Sequence, residues 1–188
     1  MRQNQVMQAT DSLRTEAQLA GRATGAMFFF VFGAVWLEGW ATQAHEGAAA
    51  CAGIALMALA LLAVAWRRYR RYAPALAHAQ DTPERRRMKR VFNIVNAAQW
   101  TAIFILAQVL VNLGKGAWII PMAIAIIGLH FLPLAHVFKN PPHYVTGLAM
   151  VAFAALYPLL ASGGPTAPVG FLGAGLILWL SAAWALRA

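Results

Sequence analysis

The sequence predicts an all-α polytopic membrane protein, a bundle of six transmembrane helices with both termini in the cytoplasm. Three observations carry that prediction. Of the 188 residues, 61% are hydrophobic and 11% charged, and the mean hydropathy is +0.59, a composition too apolar for a soluble domain and too ordered for a disordered one. Six apolar runs follow one another, each near the roughly 20 residues that cross a hydrocarbon core. Fourteen of the fifteen Lys and Arg residues fall on alternate connections, with Lys115 alone on the other side, as expected when cytoplasmic loops retain cations.

Residues 1–24 read as a cytoplasmic lead-in carrying Arg2, Arg14 and Arg22, with Asp11 expected to cap a short amphipathic stretch that includes Leu13 and Leu19. Everything from 25 to 188 reads as one six-helix membrane domain. The first run, 25–44, contains an aromatic block (Phe28, Phe29, Phe30, Phe32) and ends around Trp36, Glu38 and Trp40. Thr42-Gln43-Ala44 loosely mimics a signal-peptide cleavage site, but the long positive lead-in favours a retained helix. The second run, 47–66, is almost wholly small and aliphatic. Ala49 with Gly53, and Gly47 with Cys51, have the four-residue spacing that lets helix backbones approach, although an alanine-rich span holds such pairs by chance.

Nine cations fill the stretch 67–90: Arg67, Arg68, Arg70, Arg71, Arg85, Arg86, Arg87, Lys89 and Arg90. Confinement between two apolar runs marks them as a topology signal and as ligands for anionic lipid headgroups. The net charge of +9 therefore does not point to nucleic acid.

The third run, 91–113, is more polar than its neighbours. At 100° per residue, Asn93, Asn96, Thr101, Gln108 and Asn112 fall in an arc of about 160° that also holds Trp100. That arc is expected to avoid lipid, either as a polar pathway or as interhelical hydrogen bonding. The fourth run, 118–138, places His130 about 18 Å from its outer end. Pro133 removes a backbone donor and frees the carbonyl of Leu129 beside that histidine. His136 lies about 120° round the helix from His130 and is no same-face partner. The fifth run, 145–162, holds Tyr157-Pro158 and the sixth, 169–186, holds Trp179, Ser181 and Trp184; Gly- and Pro-rich turns join the last four runs. No inverted repeat relates the halves, because the proline-bearing fourth and fifth runs have no counterparts in the first three.

Glu38 is the one acidic residue within an apolar run. Counted from Arg22 it stands about 24 Å up the helix, in the outer part of the bilayer, where it reaches interfacial water or, with Trp36 and Trp40, forms a carboxylate and aromatic site for a proton or organic cation. His130 is either a structural histidine or a titrating group in a pathway. His45 with Glu46, and His143 beside Tyr144, read as solvated loop residues. Cys51 stands alone, which excludes an intrachain disulfide, a CxxC pair and a cysteine-based zinc site. No phosphate-binding, metalloprotease or nucleophile-elbow motif occurs, so no catalytic residue, metal or cofactor is expected.

The segment Gly128-Leu129-His130-Phe131-Leu132-Pro133, followed by a basic turn, resembles a family of uncharacterised small bacterial six-span membrane proteins. The resemblance implies the six-span fold and a bacterial inner membrane, and assigns no residue a role. Two functional readings lead, with a membrane-embedded enzyme using His130 third. One is a small transporter, channel or proton-coupled protein with a pathway beside spans one, three and four, using Glu38, Trp36, Trp40, Asn93, Asn96, Trp100, Gln108, Asn112, His130 and Pro133. The other is a non-catalytic membrane subunit or scaffold whose partners are anionic lipid, a cytoplasmic protein or a second copy of itself.

Overall fold

The computed structural model describes residues 2–78 and 82–187, with side chains described for 12–76 and 82–187. Six helices carry the chain: α1 (Arg2–Gln43), α2 (Ala48–His78), α3 (Pro83–Asn112), α4 (Ile119–Val137), α5 (Pro142–Leu160) and α6 (Val169–Arg187), with single 3₁₀ turns at Gly116–Trp118 and Gly164–Thr166. Each helix is long and apolar enough to cross a membrane, and no strand occurs among the described residues. The chain is a multi-pass membrane protein.

The first three helices run well past their apolar runs. α1 has 42 residues and so spans about 63 Å. Asp11 lies inside it rather than capping a separate stretch. Most of the expected basic loop is also helical: α2 continues to His78 and α3 begins at Pro83. Arg, Lys, Ala and Glu favour helix outside the bilayer as well as within it. Thr82 caps α3 by accepting the Arg85 N–H at 3.3 Å, Pro83 occupies the first turn, and Glu84 lies in that same turn, where a negative charge suits the helix dipole.

By contact the helices follow in a row, α2 beside α1, then α6, α5, α4 and α3, each antiparallel to the next, and the row curls so that Phe29 of α1 also meets Phe131 of α4 at 5.2 Å. Although consecutive in sequence, α2 and α3 occupy opposite ends of that row and do not pack together among the described residues. The edges are poorly covered: in the most apolar window of each helix, none of α3 and 11% of α2 is buried, against 28–33% for the other four.

Three turns share one device. At Gly114 (φ 67°), His45 (φ 57°) and Lys139 (φ 49°) the backbone is left-handed, and the next N–H reaches back five residues: Lys115 to Leu110 O at 2.7 Å, Glu46 to Ala41 O at 2.8 Å, Asn140 to Ala135 O at 3.0 Å. This is the Schellman stop, made twice without glycine.

Glycines set the close crossings. A Cβ on Gly128 would stand 2.8 Å from Gly147 O and 2.9 Å from Val151 N, and one on Gly175 would stand 2.9 Å from Gly33 O. The first pair fixes α4 on α5, the second α6 on α1. Gly47 and Gly53 have nothing within 4 Å, so the expected small-residue packing of α2 is not at those pairs. α2 instead lays Cys51, Ile54, Ala58, Leu61, Ala65, Tyr72 and Ala75 inward, a spacing alternating mostly between three and four that follows a two-helix seam against α1.

Candidate functional site

Polar groups converge at the end of the bundle where Arg22 and Arg187 lie. Pro141 and Pro142 start α5, because proline suits a first turn whose N–H groups lack helical partners. That start puts His143 in the first turn and Thr146 one turn on, facing α1 and α6. Thr146 is 3% exposed; its hydroxyl lies 2.8 Å from Ser181 Oγ and 3.1 Å from Pro142 O, and Ser181 donates to Ile177 O at 2.7 Å. Beside them Asn140 Nδ2 lies 3.3 Å from His143 Nδ1. Arg22, Asn140, His143, Thr146, Ser181 and Trp184 line a cavity of about 20 Å³, room for one water. Its lining holds no carboxylate.

His143 is the residue that sequence reasoning misplaced. Rather than a solvated loop residue, it is half-buried in α5, with its ring centroid 5.7 Å from Phe29 and 5.8 Å from Phe131. Phe131 in turn lies 4.2 Å from the ring of His130, so one phenyl ring bridges the two histidines. The available signal was the Asn-Pro-Pro-His order, which starts a helix at the prolines and turns the histidine inward. His130 itself is half-buried, and its Nδ1 lies 2.5 Å from Ile127 O. That contact is to its own helix, three residues back. Pro133, Leu129 and His136 are exposed, so the proline gap opens on the outward side of α4.

The amides of α3 do not gather at His130. Asn93, Trp100, Thr101, Gln108 and Asn112 are exposed, and Asn96 bonds the Phe92 carbonyl of its own helix at 3.1 Å. α3 turns toward α4 the opposite face, centred on Gln99, which is 9% exposed with an unpartnered Oε1. The arc expected to avoid lipid is thus mostly on the exposed side of α3. Its orientation could not be read, because periodicity fixes relative angles within a helix and not the direction of the neighbour.

Glu38 likewise stands apart from its tryptophans. Residues two apart lie about 200° apart on a helix, so Trp36 and Trp40 share a face that Glu38 does not. Trp36 packs on Phe171 of α6 at 5.5 Å. The half-buried Glu38 faces α2 on the side of Cys51. No cage forms around a cation. Among the cations of the basic stretch, Arg67, Arg70, Arg71, Arg85, Arg86 and Arg87 are exposed, as headgroup contact requires. Arg68 is different: its Nη1 donates to the Leu186 carbonyl, tying the end of α6 to α2.

No group of three or more metal-ligating side chains occurs among the described residues. Comparison with known proteins gave no match to a family profile, a curated sequence or a solved structure. The fold and the placement of these side chains define a multi-pass helical membrane protein with a closely packed α1–α6–α5–α4 core and two open flanks.

Proposed function

We propose that this chain is a bacterial inner-membrane protein with both termini in the cytoplasm, acting as a non-catalytic subunit that pairs with a second copy through α3. The supporting observation is the exposed stripe Ile94, Ala97, Thr101, Phe104, Gln108 and Val111 on the face of α3 away from α4. These positions repeat every three or four residues, the pattern of a helix seam. Thr101 and Gln108 stand one heptad apart on it, and polar groups at membrane depth seek partners across helices. A carboxamide both donates and accepts, so identical stripes complement each other about a two-fold axis along the membrane normal. No Lys, Arg, Asp or Glu occurs from 91 to 114, so no like-charge contact opposes the pairing.

The transport reading draws on His130 but also needs the amides of α3 beside it, and most of those amides face elsewhere. The charge asymmetry supports the orientation, and the exposed arginines suit anionic headgroups.

The test is a disulfide. With Cys51→Ala as background, Thr101→Cys should form a covalent dimer on mild oxidation in native membranes, whereas Leu156→Cys, on exposed α5, should remain monomeric. Gln108→Leu should loosen the dimer by about 0.6 kcal/mol, a typical interhelical hydrogen bond in a membrane. A monomer at Thr101→Cys, or a cross-link only to a different protein, overturns the reading.

A further inference from the structure

The half-buried Arg22 has no acidic partner among the described residues. A cation withdrawn from water without a counter-charge is costly. Its neighbours are donors too. Asn140 Nδ2 lies within hydrogen-bonding distance of both His143 ring nitrogens, 3.3 Å from Nδ1 and 3.4 Å from Nε2, and the amide carries two N–H groups. The Ser181 hydroxyl donates to Ile177 O and the Thr146 hydroxyl to Ser181 Oγ or Pro142 O, so they close the floor of the cavity and do not compete. The result is a small pocket lined by Arg22, Asn140 and His143 beside the apolar Phe29, Pro142 and Ala185, with no anionic group in its lining.

We propose that this pocket binds a phosphate group, with the Arg22 guanidinium as its principal contact and Asn140 and His143 as neutral donors. Guanidinium and phosphate match in charge and in planar, two-pronged hydrogen-bonding geometry. The 20 Å³ floor takes a bridging water, and the phosphate sits at the mouth. Trp184, 46% exposed and lining the same cavity, has the amphipathic ring that settles at the headgroup level. This phosphate belongs either to a phospholipid headgroup or to a soluble phosphate, since the donors recognise the same oxygens in both. The site is separate from the exposed arginines of α2 and α3, which offer charge without a cavity, and it does not depend on pairing through α3.

The full-length protein, purified in a non-ionic detergent, is titrated with inorganic phosphate or with short-chain phosphatidylglycerol while its thermal midpoint is followed, chloride at matched ionic strength serving as the reference. Stabilisation by both ligands supports the site and identifies the free phosphate group as sufficient; stabilisation by the lipid alone supports it and identifies a headgroup. Arg22→Gln should weaken the response about tenfold or more, the scale of a lost charge-assisted hydrogen bond, and Arg22→Lys should fall between. Asn140→Leu keeps the cation and should lose several-fold, so the pocket remains testable even if Arg22→Gln does not fold. Arg85→Gln, Arg86→Gln and Arg87→Gln together should leave the response unchanged. A midpoint that moves no more with phosphate or lipid than with chloride, or that moves equally in wild type, Arg22→Lys and Asn140→Leu, overturns the proposal.

Discussion

Gly128→Ala is the sharpest probe of the packing that fixes the bundle. The new methyl would meet Gly147 O at 2.8 Å, Val151 Cγ2 at 2.8 Å and Val151 N at 2.9 Å. Two of these three atoms are backbone of a neighbouring helix, so no rotamer change relieves them, and α4 must move away from α5. Overpacking costs about 1–3 kcal/mol, and contact with rigid backbone puts this site at the upper end, near 3 kcal/mol. For a chain of this length, 1 kcal/mol corresponds to about 2–4 °C in midpoint, which gives a loss of about 6–12 °C. The assay is thermal unfolding in detergent followed by circular dichroism. Gly53→Ala is the control: it has nothing within 4 Å, and alanine gains up to about 1 kcal/mol over glycine in a helix, so its midpoint should hold or rise. If Gly128→Ala melts with wild type, the backbone crossing is not where the structure puts it.

Three further predictions concern other parts of the chain. With Cys51→Ala as background, a cysteine at Ala77, at the end of α2, should label from the cytoplasm and cysteines at Ala44 and Gly164 from outside; outside reactivity at Ala77→Cys would reverse the orientation. Lys139→Gly relieves a left-handed residue (φ 49°), worth about 1 kcal/mol, and should raise the midpoint by about 2–4 °C; a lower midpoint would show that the lysine side chain matters more than the turn. His130→Gln should preserve folding and α3 cross-linking, because the Nδ1 contact is to Ile127 of the same helix, whereas loss of a pH-dependent proton flux in reconstituted vesicles would revive the transport reading.

What the sequence determined by itself was set by local quantities. Hydropathy summed along each run located six membrane-crossing helices, and the positions of Lys and Arg showed that one end of the bundle gathers nearly all the cations. Neither depends on which helix lies beside which. The full length of α3 was legible in principle, since Thr82-Pro83-Glu84 is a helix start eight residues ahead of the apolar run. Only the tertiary structure decided the facing of α3, the neighbour that Glu38 faces, and the burial of His143 against Phe29 and Phe131. Each is a question of how a helix is rotated about its own axis. That rotation is fixed by close crossings such as Gly128 on Gly147 and Gly33 on Gly175, contacts between residues whose proximity no pattern within a single helix encodes.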